Sequence, residues 1–201
     1  VKEGMKEALE EFVRGGGILV TSFMSGIADQ SDNVHLGGYP GPLRELAGVW
    51  VEEIDALAPE QTNEVVFRDG AKYRCRLLCD ILHLEHAESI AEYTEDFYAG
   101  MPAAARNGFG EGFVYYVGTS MEAGLAAVLD KAAADAGVRP VINERTELEI
   151  TCRKTEKHTL YFVINFKDKE IRLPSCFAGN TDILTGKTIE GNEMMSRYDV
   201  K

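Results

Sequence analysis

Several things are scarce in this 201-residue chain, and each scarcity excludes something. Basic residues are few: 21 Lys and Arg against 33 Asp and Glu leave a net charge of −12. Nucleic-acid binding needs a basic surface to meet phosphates, so that class is excluded. Anionic membrane surfaces are disfavoured for the same reason. No apolar stretch approaches the roughly 18 residues of a membrane span. Residues 1–14 are amphipathic and charged rather than leader-like, so a cytoplasmic setting is expected. The four cysteines, Cys75, Cys79, Cys152 and Cys176, are irregularly spaced, and two lie inside apolar runs. That favours free buried thiols in a reducing compartment over a disulfide framework. Trp50 is the only tryptophan, which leaves little for an aromatic sugar platform. The chain is also short of the about 250 residues of a (β/α)₈ barrel, and its pattern lacks the eight repeated units.

What is present reads as one α/β domain over residues 1–139 and a small all-β domain over 140–201. Met5, Ala8, Leu9, Phe12 and Val13 share one face of a helix spanning 2–14. Gly15-Gly16-Gly17 ends it. Ile18–Phe23 is a continuous apolar run and predicts a strand buried on both faces, as in a parallel sheet. Helix, glycine turn and buried strand together make half of a doubly wound unit. Pro42–Gly48 predicts a short helix with Pro42 in its first turn, and Val49–Ile54 a strand. Glu64–Arg68 and Ala71–Leu78 predict a hairpin through Asp69-Gly70, of type I′. Ser89–Tyr93, Ala103–Asn107 and Gly112–Gly118 predict three more strands. A helix follows, with Thr119 and Glu122 as a capping box. Met121, Leu125, Val128, Leu129, Ala132 and Ala136 form its expected buried stripe, and Gly137 its cap. Past Pro140, strands are expected at Glu147–Cys152, Thr159–Asn165, Lys169–Leu173, Thr181–Leu184 and Glu193–Tyr198.

Motifs that suggest chemistry fail their own geometry. His83-Leu84-Glu85-His86 does not match His-Glu-x-x-His, and no third ligand is near in sequence. Cys75 and Cys79 lack Cys-x-x-Cys spacing. Ser25 follows a strand, but Phe23-Met24-Ser25-Gly26-Ile27 is not a nucleophile elbow. Gly108–Gly112 lies between two strands, whereas a dinucleotide fingerprint opens a helix; a tight hairpin turn is expected. Asp29, Asp32, Asp80, Glu85 and Asp96 give no sequence reason for a carboxylate pair about 5–5.5 Å apart. No catalytic residue, metal ligand or cofactor is assigned.

Long loops on a rigid sheet carry function more often than cores do. Here the long loop is Ser25-Gly26-Ile27 through His35-Leu36-Gly37-Gly38-Tyr39-Pro40-Gly41-Pro42. Together with Asp96-Phe97-Tyr98-Ala99-Gly100-Met101-Pro102, Arg106–Gly110 and Tyr115–Thr119, it resembles the middle domain of bacterial family 42 β-galactosidases, the domain by which those enzymes trimerise. The match covers roughly residues 5–137; residues 140–201 resemble the small β domain that ends those enzymes. The resemblance implies a class I amidotransferase-like sheet without its cysteine. It also implies that the domain's leading strand–helix units and the catalytic barrel, with both glutamates, lie upstream. This chain alone is then expected to be inactive, a trimerisation fragment of a retaining enzyme that reaches β-galactosides only through the barrel. Its interface candidates are His35, Gly37, Gly38, Tyr39, Pro40, Asp96, Phe97 and Tyr98. A free-standing amidotransferase-like or carbohydrate-binding module is the alternative.

Overall fold

The computed structural model describes residues 1–201 as two compact units, Val1–Val138 and Arg139–Lys201. The first begins with α1 (Met5–Arg14) and β1 (Ile18–Ser22). A long loop leads through a 3-10 turn (Gly41–Leu43) into α2 (Arg44–Ala47). Then come β2 (Val49–Ala56), β3 (Asn63–Phe67), β4 (Lys72–Leu84), β5 (Glu88–Tyr93), β6 (Pro102–Phe109), β7 (Gly112–Val117), β8 (Thr119–Ser120) and α3 (Glu122–Asp135).

These strands form one mixed sheet in the order β1-β7-β6-β5-β3-β4-β2, with β8 on β4. The β1–β7 pair is parallel and every other pair antiparallel. Because β7 runs through Gly118 into β8, and β8 pairs with β4, the sheet closes on itself. The Asp80 N–H donates to the Gly118 carbonyl at 2.8 Å across that closure.

Strand alternation sorts side chains to two cores. On β7, Tyr115 and Val117 join Val65, Phe67, Tyr93 and Val128 of α3. Val114 and Tyr116 face the other way, toward Val13 of α1 and Leu46 of α2. Helices therefore cover both faces of the β1–β7 region.

β1 is half-exposed along its whole length rather than buried on both faces, because it is the end strand. The expected apolar face of α1 also differs. Only Val13 is buried; Met5 and Phe12 are 47% and 54% exposed. In α3, Val128 and Ala132 are buried as expected, but Leu125 and Leu129 face outward and Ala136 is exposed.

The capping box does not form. Thr119 lies in β8, where its hydroxyl donates to the Leu78 carbonyl at 2.7 Å. α3 starts two residues later, with Met121 at its N-cap position and no side-chain cap. Its end is as expected: Gly137 takes φ +66°, and the Gly137 and Val138 N–H groups return to the Ala134 and Ala133 carbonyls, a Schellman motif.

The Asp69-Gly70 hairpin forms with a different turn. Gly70 has φ +85° while Asp69 stays negative, and Phe67 pairs back to Ala71. This is a three-residue loop with a glycine bulge, not type I′. The two-residue turn at Gly110-Glu111 joins β6 to β7, with φ +62° at Gly110.

The second unit holds β9 (Glu149–Lys154) and β10 (Thr159–Ile164), paired antiparallel, then β11 (Ile171–Arg172) and β12 (Met194–Met195), also antiparallel. Leu148, Val163, Leu173, Phe177, Ile189 and Met195 make its core. The strand expected over Thr181–Leu184 reduces to one bridge, Thr181 to Thr188. There Asp182 accepts from the Leu184 N–H and the Thr185 hydroxyl, turning the chain instead. Asn165, fully buried, donates its amide to the Lys169, Met195 and Ser196 carbonyls and so ties together the backbone near β11 and β12.

Candidate functional site

The loop after β1 has no core of its own, yet its path is fixed by close backbone contacts. The Phe23 N–H donates to the Val117 carbonyl. Gly26 has φ +70°, and a Cβ there would lie 2.0 Å from the Pro40 carbonyl oxygen; only glycine fits. The Ala28–Val34 bridge and the bond from the His35 N–H to the Ile27 carbonyl close a small ring. Within it, the Asp29 carboxylate accepts from the Ser31 and Asn33 N–H groups at 2.7 and 3.0 Å. Those bonds, the Asn33 one first, hold its pKa below the ordinary value.

The second half of the loop leans on β2. The Val51 N–H donates to the Tyr39 carbonyl at 2.7 Å. The Tyr39–Pro40 peptide is cis. Gly38 packs on the edge of Trp50 so closely that a Cβ would sit 2.2 Å from Nε1. Trp50 Nε1 and His35 Nε2 are both enclosed and without a hydrogen-bond partner. Beyond the loop, the Gly48 carbonyl accepts from three successive N–H groups, Glu85, His86 and Ala87.

Trp50 is a hub, not an open platform. The His83 ring stacks on it at 4.9 Å and 28°, and the Arg44 guanidinium lies 5.4 Å from its centroid. His83 Nε2 is 2.6 Å from Glu52 Oε2. Arg44 Nε donates to Glu85 Oε2 at 2.8 Å, with a second contact through Nη2. That pair raises the arginine pKa and lowers the glutamate's.

The structure separates the sequence candidates into outward and inward groups. Pro40 and Tyr98 are buried; His35, Gly38 and Tyr39 are half-buried; Gly37 and Asp96 are exposed. What the loop offers outward is Leu36, 97% exposed, with Val34 beside it at 63%. Phe97 is 75% exposed, held edge-on to Tyr98 at 4.9 Å. Asp96 takes φ +68° and its carboxylate accepts the Phe97 N–H. Tyr98 donates its hydroxyl to Asp55 Oδ2 at 2.8 Å. The two groups of candidates sit at opposite ends of β2, opposite Val51 and on Asp55, about 13 Å apart at the usual strand rise.

The residues weighed for chemistry fall elsewhere. Ser25 accepts a hydrogen bond from the Thr21 hydroxyl. His83 lies on a strand, and His86 is exposed past its end. Asp29, Glu85 and Asp96 are each tied to local partners and not to one another.

Asp80 is the carboxylate whose setting the sequence reading missed. It is fully buried; Tyr116 donates to its Oδ2 at 2.8 Å, and Oδ1 has no partner. Burial pushes its pKa up to about 7, against the lowering effect of the Tyr116 bond. An acid inside the apolar run Cys79–Leu82 was the available signal.

Comparison with known proteins bears on the whole chain. Residues 1–139 match the model of the β-galactosidase trimerisation domain, and residues 147–201 that of the β-galactosidase C-terminal domain. The chain is 42% identical over 203 residues to the β-galactosidase LacA of Lactobacillus acidophilus, and 40% over 206 residues to BgaA of Planococcus sp.. All of this chain is covered in both alignments, but only 30% of each relative. Among solved structures, the β-galactosidase of Bacillus circulans sp. alkalophilus aligns with TM-score 0.88 at 41% identity, and that of Rahnella sp. R3 with 0.83 at 31%. Each alignment covers the full chain and 30% of the solved one.

Proposed function

Since the chain belongs to the β-galactosidase trimerisation-domain family, with a C-terminal domain of the same enzymes behind it, we propose that it is the assembly portion of a β-galactosidase and forms a homotrimer. It spans about 30% of the relatives it matches. The hydrolysis of terminal β-galactosides, by retention, then belongs to parts of the polypeptide outside this stretch. The division of labour falls near residues 139–140, and the setting is cytoplasmic, as four free thiols favour. Neither nucleic acid nor membrane is a partner, in keeping with the net charge of −12.

One observation carries the assembly reading: a loop pinned by glycine–backbone contacts presents Leu36 and Val34 to solvent. Apolar groups held out rigidly are what an interface anchor requires. In this reading His35, Gly37, Gly38, Tyr39 and Pro40 shape the loop, while Asp96 and Tyr98 aim Phe97. The finer fold reading belongs here too. The parallel β1–β7 pair, flanked by helices on both faces and open on the far side of β1, is the end of a doubly wound, amidotransferase-like sheet.

Sedimentation over a dilution series tests the proposal. Leu36→Asp is expected to weaken self-association about tenfold or more, since a charge replaces an apolar anchor at a cost above about 1.4 kcal/mol. A parent chain that stays monomeric at every concentration, or a Leu36→Asp chain that assembles like the parent, overturns it. A chromogenic galactoside should give no turnover that scales with this chain.

A further inference from the structure

We propose that the free edge of β10 and the cavity beside it dock an extended segment of a partner protein, one with apolar side chains at alternate positions and carboxylates at its C-terminal end.

Along an antiparallel pair, backbone groups point alternately toward the partner strand and away from it. Val163 lies opposite Ile150 of β9, yet both of its backbone groups point away. Its N–H donates to the Lys201 carbonyl at 2.8 Å, and its carbonyl accepts from the Lys201 N–H at 2.9 Å. Tyr161 and Thr159 follow at two-residue steps, so their N–H and C=O groups face the same side. No backbone partner meets them there. The side chains of Thr159, Tyr161 and Val163 share one face of the strand. Val163 is buried, and the Tyr161 ring stands edge-on to the buried Phe177 at 5.2 Å.

Beside this edge lies a cavity of about 560 Å³, lined mainly by apolar groups. Its volume is within the usual range of binding pockets. Tyr161, Phe177 and Ile189 line it, together with Ile183 and Leu184, each 73% exposed. An open edge of this kind invites strand addition. Main-chain bonds then give the affinity, and pockets for alternate side chains give the specificity.

The direction of the guest follows from the chain itself. Asp199–Lys201 already pairs antiparallel with β10. A guest that extends this pairing runs past Tyr161 and Thr159 toward the β9–β10 hairpin. Exposed Arg153, Lys154, Lys157 and His158 crowd that hairpin, with Glu156 the one acid among them. The C-terminal end of the guest therefore meets positive charge, which selects carboxylates. The charge is local, because the chain as a whole carries −12. A second copy of β10 fits less well. Laid antiparallel about Leu160, its Lys157 would fall opposite Val163, whose backbone groups Lys201 already holds.

The test uses the peptide fluorescein-Gly-Val-Thr-Val-Glu-Glu, titrated with the 201-residue chain and followed by fluorescence anisotropy. In the proposed register its two valines pair with Tyr161 and Thr159, and its threonine with Leu160. Saturable binding is expected. N-methylation of both valines, whose N–H groups face β10, should weaken it about tenfold or more. N-methylation of the threonine, whose N–H faces away, should change it less than about threefold. A probe ending in Lys-Lys should bind about fivefold weaker or worse, and a chain carrying Lys154→Glu and Lys157→Glu should lose that preference. No saturable change up to about 1 mM chain overturns the proposal. So does an equal effect of N-methylation at the valines and at the threonine, or a preference for the acidic probe that survives the charge reversal.

Discussion

The first unit has a closed side and an open side. On the closed side, β7 passes into β8 and returns to β4, and Tyr93, Tyr98, Tyr115 and Tyr116 are all at most 2% exposed. Their hydroxyls reach the Gly118 carbonyl, Asp55, Asp135 and Asp80 respectively. On the open side, β1 has one neighbour, and α1 buries a single side chain. The same kinds of residue thus contribute unequally. An amphipathic pattern records which face of a helix is apolar, not what packs against that face.

The difference should be plain in stability. Leu82, 1% exposed on the closed side, is expected to cost about 2–5 kcal/mol as Leu82→Ala, through lost transfer energy and a cavity. Denaturant melts measure it. If Leu82→Ala cost no more than an open-side change, the two sides would not differ as described.

Asp80 sharpens the comparison by pH. Its folded pKa, about 7, lies above the reference 3.8. Between those values the folded state holds more protons than the unfolded one. Stability is therefore full below pH 3.8, falls as pH rises through about 7, and is level beyond. The slope is at most about 1.4 kcal/mol per pH unit for one group. Asp80→Asn should flatten this component, and melts from pH 5 to 8.5 on both chains would show whether it does.

Smaller still is Thr119→Ala, which leaves the Leu78 carbonyl without its 2.7 Å partner. About 1–2 kcal/mol is expected. Glu122→Ala, by contrast, should stay within about 0.5 kcal/mol, because the side chain is exposed and caps nothing. Equal effects of the two would restore the capping box. At the bottom of the scale, Phe12→Ala on the open side should shift the midpoint by less than about 0.5 kcal/mol.

Local signals were legible in the sequence, and long-range ones were not. Asp69-Gly70 and Gly110 mark hairpins because a turn's backbone demand is met by the residues in the turn. Gly137 ends α3 for the same reason. Thr119 was misread because a threonine three before a glutamate looks alike whether its hydroxyl caps a helix or meets a distant carbonyl. Leu125 and Leu129 fit a helical stripe, but the face that α3 turns to the core is Gly124, Val128 and Ala132, with Ala127 beside it. The loop was found by its glycines and prolines, and by resemblance. That Leu36 points outward while Pro40 and Tyr98 point inward depends on contacts with β2, which no local pattern encodes. The positive φ of Leu77, at the β4 irregularity between Arg76 and Cys79, was equally hidden, since nothing in Arg76-Leu77-Leu78 announces it.

Gly26 and Gly41 hold the loop by backbone alone: a Cβ at Gly41 would lie 2.5 Å from the Gly26 carbonyl oxygen. The thermodynamic consequence lies in what happens on docking. A segment already fixed in shape loses little conformational entropy when a partner arrives. Calorimetric dilution of the assembly should then show a heat-capacity change matching the apolar surface covered, without the larger unfavourable entropy of coupled folding. The glycines would set the affinity by what they spare the loop from having to lose.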